Sequence, residues 1–167
     1  MPRFAMFSLI VLCLFSFAAL SPSLPTTTAT QTVQWLNAEL ELPRALTAAP
    51  LSGEDYDEQT YLSEDGAIEL RLRQRSLAAT TRPVDVYHGA LERGWAAACT
   101  PVALLDKEVT PVGYRLEWLT ADAVVIERLE RVGQEWIQLE ASAPRDRRVQ
   151  LRRWVANTAL VALATRP

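Results

Sequence analysis

The sequence predicts an α+β fold: an antiparallel β-sheet meander with two covering helices. Three observations carry this. Three strand patterns, Tyr114–Leu119, Ala123–Val132 and Glu135–Ala143, follow one another with only short connections. A Ser63-Glu64-Asp65-Gly66 turn joins two further arms; Asp-Gly is a strong hairpin signal because glycine accepts positive φ without a Cβ clash. Two stretches, opening at Pro83 and at Pro144, instead repeat apolar residues at spacings of three and four, the helical period. Strand runs punctuated by two helices describe helices packed on an antiparallel sheet.

The elements follow in order. Val33–Leu42 opens the domain, with Trp35 and Leu36 able to enter the core and Glu39-Leu40-Glu41-Leu42 alternating as a half-buried strand does. Pro43 ends it, and residues 43–57 form a loop that finishes in an acidic cluster. The hairpin arms are Glu58–Leu62 and Ala67–Gln74. Ile68, Leu70 and Leu72 face one way and Glu69, Arg71 and Arg73 the other, giving one buried and one wet face. Pro83 suits a first helical position, where its missing N–H is not needed. Val84, Tyr87, Leu91, Trp95 and Ala98 then form the apolar stripe of a helix that Thr100-Pro101 stops. Gly89 and Gly94 weaken that helix and leave room for close packing on the sheet. Val102–Val109 is a further strand, after which the three-strand meander runs to Ala143. The last helix spans Pro144–Leu163, burying Leu151, Trp154, Val155, Thr158 and Ala162.

Domain organisation comes from the 167 residues and their uneven composition. Met1–Leu20 reads as a secretory signal: a positive start, then an uncharged run from Ala5 to Leu20 that Pro22 and Pro25 break. The run is shorter than the roughly 20 residues a spanning helix needs. An uncleaved N-terminal anchor is the alternative. Residues 21–32 are a low-complexity linker, and 33–167 are read as a single α+β domain. Hydrophobic residues at 49% against 22% charged supply a real core. A net charge of −3 gives no overall basic field for nucleic acid. Sixteen arginines against one lysine suit a GC-rich bacterial genome. Without the signal, Cys99 stands alone, so the fold must hold without an internal disulfide.

The order of elements resembles the PsbP-like family, named for the extrinsic P subunit of photosystem II and including exported bacterial proteins of the DcrB type. Three places carry the resemblance: the strand-to-proline step Leu40-Glu41-Leu42-Pro43; the meander Val124-Val125-Ile126-Glu127 with Gly133-Gln134-Glu135-Trp136-Ile137-Gln138-Leu139; and the exit Ala141-Ser142-Ala143-Pro144 with Trp154-Val155-Ala156-Asn157-Thr158. Usual members carry a Gly-Trp-like element soon after the proline, whereas Pro43 is followed by Arg44-Ala45-Leu46. The resemblance implies a non-catalytic binding or assembly module and transfers no site residue.

Candidate chemistry is sparse. His88 and Cys99 lie eleven residues apart on one predicted helix, roughly 16 Å along its axis and far beyond proton-transfer reach. Each reads as structural: His88 partly buried, Cys99 buried at the helix end. One histidine and one mature cysteine cannot build a Cys/His metal cluster. The acidic run Glu54–Glu58 lacks the calcium-loop pattern and reads as a solvated loop. No phosphate loop, G-x-S-x-G or H-E-x-x-H is present. No catalytic, cofactor or metal residue is therefore assigned, and no cofactor is expected.

Two features point to binding instead. Arg145, Arg148 and Arg152 recur three and four apart and line one face of the last helix. Arginine grips carboxylates and phosphates in a bidentate fork; the competing reading pairs these arginines with glutamates of the strands. Trp136 shares its side of a strand with Gln138 and Glu140, while Ile137 and Leu139 face the other way, so Trp136 is the best candidate for an exposed aromatic. Together Trp136, Arg145, Arg148 and Arg152 form the candidate contact surface. The function read from the sequence is a non-enzymatic exported binding or accessory protein of the bacterial cell envelope, periplasmic or secreted, acting through protein contacts. A small-ligand or lipid carrier with a pocket between helix and sheet is the alternative, and an enzyme resting on carboxylates such as Glu117 and Glu127 the second.

Overall fold

The computed structural model describes residues 29–36, 38–50, 57–78, 80–97 and 103–162. Its largest layer is a seven-stranded antiparallel sheet. In chain order its strands are β3 (Leu46–Ala48), β4 (Glu58–Ser63), β5 (Glu69–Arg75), β6 (Ala103–Thr110), β7 (Gly113–Leu119), β8 (Ala123–Val132) and β9 (Glu135–Pro144). They lie side by side as β3-β4-β5-β9-β8-β7-β6. A second sheet of three strands is built from β1 (Thr30–Trp35), β2 (Ala38–Pro43) and β10 (Ala159–Ala162), with β2 in the middle. Helices α1 (Pro83–Ala97) and α2 (Arg148–Ala156) complete the fold, the latter entered through a 3-10 turn at Arg145–Arg147.

Turn chemistry sets the register. Gly66 and Gly133 both adopt positive φ where the β4–β5 and β8–β9 connections reverse the chain. Ser63 and Asp65 brace the first of these turns: Ser63 Oγ accepts the Ile68 N–H, and Asp65 accepts from Ser63 Oγ and the Ala67 N–H. Gly113 is required for a different reason. A Cβ there would lie 1.9 Å from the Leu129 carbonyl oxygen of β8.

The register assigns each face of the large sheet. One rung runs Tyr61–Leu70–Ala141–Ile126–Glu117 across β4, β5, β9, β8 and β7. Its side of the sheet packs against the three-stranded sheet and α2, burying Leu40, Leu42, Leu72, Leu139, Leu151, Trp154 and Val155 in one core. The next rung, Thr60–Arg71–Glu140–Glu127–Leu116, points the opposite way. Part of that side is covered by α1, where Tyr87 and Ala90 meet Tyr114, Leu116, Trp118, Leu129 and Trp136. Towards β4 and β5 the same side carries charge: Glu58 pairs with Arg71 and Arg73, and Glu69 with Arg71. The hairpin's alternation of Ile68, Leu70 and Leu72 against Glu69, Arg71 and Arg73 is thus realised.

Four expectations are corrected. The opening strand is a hairpin, β1–β2, whose first strand starts at Thr30, inside the stretch read as linker; Leu36 at its tip adopts φ 51°. The last helix ends at Ala156, not Leu163. Asn157 closes it by donating its N–H to the Arg153 carbonyl, and Thr158 Oγ donates to the Trp154 carbonyl. Ala159–Ala162 then pair with β2, Val161 being the one β-branched residue of the strand. The buried side of α1 is set by Tyr87 and Ala90, with Val86 and Leu91 partly covered, and Val84 is exposed. Gly89 does not serve close packing on the sheet: a Cβ there meets only Arg93 Nη1 at 3.4 Å. The side chains of Gly94, Trp95 and Ala98 lie outside the described residues.

Candidate functional site: an arginine face held by a buried carboxylate

Glu117 sits in the middle of β7, on the α2 side of the sheet, and is wholly buried. Its strand position places it under α2, where two arginines one helical turn apart meet a single carboxylate. Arg148 Nε donates to Oε1 at 2.7 Å and Arg152 Nε to Oε2 at 2.7 Å. Arg115 Nη2 lies 3.8 Å from Oε2. A buried charge is tolerated only when paired and hydrogen-bonded, and both carboxylate oxygens here are engaged. The first turn of α2 carries no acidic residue. Positive side chains near a helix start are slightly unfavourable, and Glu117 supplies the opposing charge from outside the helix.

The neighbouring arginines are held as well. Arg145 donates through Nε and Nη2 to the Thr120 carbonyl, fixing the 3-10 turn to the β7–β8 connection. Arg147 pairs with Asp65 of the β4–β5 turn. The Ser63 hydroxyl, then the Ala67 N–H and Arg147, hold the Asp65 carboxyl down at about 2. At the other end of α2, Arg128 Nη1 donates to the Val155 and Thr158 carbonyls, at 3.2 and 2.9 Å. Val155 belongs to the last turn of the helix, where carbonyls lack an intrahelical partner, and Thr158 follows the C-cap Asn157. The outer surface between these anchors presents Val149, 71% exposed, with exposed Arg153.

Arg148 and Arg152 therefore come together over Glu117 on one side of α2, while Arg145 lies in the 3-10 turn before it, on the Thr120 carbonyl. Their contacts realise the competing reading for Arg148 and Arg152, which are paired to a strand glutamate through Nε. Their side chains still remain 36% and 41% exposed. Trp136 belongs elsewhere. It lies on the opposite side of the sheet, 2% exposed, within the cluster beneath α1. The expectation of an exposed aromatic is corrected: β9 is covered on both sides, so the side opposite Ile137 and Leu139 is interior too.

Glu127, the other carboxylate singled out, faces α1. It accepts from Tyr114 Oη at 2.5 Å and Gln138 Nε2 at 3.0 Å, and Arg75 Nη1 donates to Gln138 Oε1 at 3.1 Å. Burial first, and then the Glu127 charge and hydrogen bond, push the Tyr114 hydroxyl far above its ordinary range. It remains a neutral donor. Since Glu117 and Glu127 point to opposite sides of the sheet, they do not converge as an acid–base pair. His88 is exposed rather than partly buried, with its ring edge-on to Tyr87 at 5.3 Å. Cys99 and Glu54–Tyr56 lie outside the described residues. Among those described, no group of three or more His, Cys, Asp or Glu is arranged to hold a metal ion, and no helix is long and apolar enough to cross a membrane.

Glu117, which organises the α2 contacts, does not stand out in the sequence. Its signal was present but indirect: two arginines four apart on an otherwise amphipathic helix need a counter-charge, and Glu117 is a central acid of the meander.

No family model matches the chain, and no curated protein matches it. Among solved structures it is similar to cyanobacterial PsbP (CyanoP) from Synechocystis sp. PCC 6803, with a TM-score of 0.57 and 12% identity, over 80% of this chain and 93% of that one. At that identity the likeness establishes the fold: this is a PsbP-like α+β sandwich.

Proposed function

We propose that the chain is an exported, non-enzymatic accessory or binding protein of the bacterial cell envelope, acting through protein contacts made by the outer face of α2. The observation that carries this reading is the grip of Glu117 on Arg148 and Arg152. It uses one nitrogen of each guanidinium and fixes both side chains on the surface. Preorganised arginine loses less freedom on binding than a mobile side chain. Arg145, exposed Arg153 and the bare Val149 extend the same face. That combination suits a partner offering carboxylates around an apolar contact. The PsbP-like fold supports the non-catalytic part of the reading, as does the separation of Glu117 from Glu127 across the sheet. The signal-like Met1–Leu20 segment supports export.

Arg148 and Arg152 are poor test positions, because removing them strands a buried carboxylate. Arg153→Glu combined with Val149→Glu alters only exposed positions. With unfolding midpoints unchanged, the double variant is expected to lose at least tenfold in recovery of the wild-type chain's partner from envelope extract. Undiminished recovery of the same partner by a folded variant would remove this surface.

A further inference from the structure

We infer that the groove between the free edge of β10 and the β6–β8 end of the large sheet is a second binding site, which takes an extended peptide strand carrying an acidic side chain. The site lies apart from the exposed Val149 and Arg153 of α2, although Ala156 of that helix lines it and Arg115 also approaches Glu117.

The groove encloses about 480 Å³, within the range of roughly 300–1,000 Å³ usual for ligand pockets. Its floor comes from β6, β7 and β8 and includes Arg115, Arg128 and Gly113; its other wall is Thr158, Ala159 and Leu160. The small sheet has the order β1-β2-β10, and no β2 residue lines the groove. Among the described strands β10 pairs with β2 alone, and the groove lies along its other edge. An unpaired edge offers backbone N–H and C=O groups in a row, the template for strand addition.

The floor shows which strand would fit. Arg115 and Arg128 are directly opposite one another on β7 and β8, an arrangement that like charges disfavour. Both guanidinium groups are incompletely satisfied. Among the described residues, three buried side-chain nitrogens or oxygens have no hydrogen-bond partner, and two of them are Arg115 Nε and Arg128 Nε. Buried polar groups are nearly always paired, and one that is not calls for a missing partner. Arg128 has both terminal nitrogens engaged, by the Val155 and Thr158 carbonyls and by Glu130. Arg115 has only long contacts, 3.5 Å to Asp106 and 3.8 Å to Glu117. Arg115 is thus the group free to turn to a carboxylate arriving along β10. Glu108 and Glu130 also line the groove, so a uniformly acidic peptide is disfavoured. One acidic residue, placed over Arg115 and flanked by uncharged or basic residues, fits best.

The test pans a library of randomised nine-residue peptides against the immobilised full chain. Enriched peptides are then titrated into the isotope-labelled chain and followed by amide and arginine Nε–H resonances. The expected outcome is enrichment of an acidic residue at a fixed position, with shifts at Ala159, Leu160 and the Arg115 Nε–H. Arg115→Gln is expected to weaken binding at least tenfold. N-methylation of alternate peptide residues should abolish it in one of the two phases, as main-chain pairing requires and side-chain capture alone does not. Three results would overturn the proposal: no enrichment, binders whose shifts map to another surface, or affinity indifferent to both Arg115→Gln and N-methylation. Self-association through β10, seen as a dimer with the same edge protected in the absence of peptide, would overturn it in favour of a second copy.

Discussion

The two sides of the seven-stranded sheet solve the same problem differently. On the side of α2, a carboxylate is buried completely at Glu117 and answered by arginines that arrive from the helix above it. On the side of α1, Glu127 is answered from within the sheet and its margin, by Tyr114, Gln138 and, through Gln138, Arg75. The first arrangement spends one nitrogen of each arginine and leaves the rest of the guanidinium outside. The second closes on itself, under a cap of aromatic rings. A charge network that spans two elements and ends at the surface suits recognition, and one contained in a sheet suits packing.

That contrast can be broken by substitution. Arg148→Ala with Arg152→Ala leaves Glu117 buried without its two close partners, and is expected to cost about 3–5 kcal/mol in urea unfolding. Glu117→Leu is expected to cost clearly less, because the arginines it releases are already partly in water. Trp136→Ala on the other side should cost about 3–4 kcal/mol through the cavity it opens among Tyr87, Tyr114 and Trp118; a change near zero would return Trp136 to the surface. Tyr114→Phe removes one donor to a carboxylate that keeps Gln138, and should cost about 1.5 kcal/mol.

The smallest effect belongs to acid. Asp65 is held at about 2, below its ordinary 3.8. A depressed carboxylate contributes stability that is complete above its unfolded value and disappears as pH falls through its folded one. Asp65→Asn should therefore flatten the fall in stability between those two pH values and leave the curve parallel to wild type above them. An unchanged acid limb would show that the Ser63, Ala67 and Arg147 contacts do not hold the charged form.

Much of this was legible in the chain, and the omissions share a cause. The β4–β5 hairpin announced itself because one side is buried and one is wet, so Leu70 and Leu72 alternate with Glu69 and Arg71. β9 gives no such signal: Trp136, Ile137, Gln138 and Leu139 are all buried, because α1 covers one side and the small sheet with α2 the other. The pattern of β9 therefore does not reveal that Trp136 is interior. β10 was hidden by the helical spacing of Leu151, Trp154, Val155 and Thr158, which continues through Ala162 although the helix does not. Where it ends, Arg128 of β8, 27 residues from Val155 and 30 from Thr158, donates to the carbonyls of both. Glu117 alternates in sequence with Leu116 and Trp118, and only the arrival of α2 makes its side interior.

The division of labour between the two sides is tested most directly in cells. A photo-crosslinking residue is placed at Val149 on α2 in one strain and at Val84 on α1 in another, both exposed positions. A discrete protein adduct at Val149, with none at Val84, is the predicted result. An adduct at Val84 alone would contradict the account, moving the working surface to the side assigned here to packing.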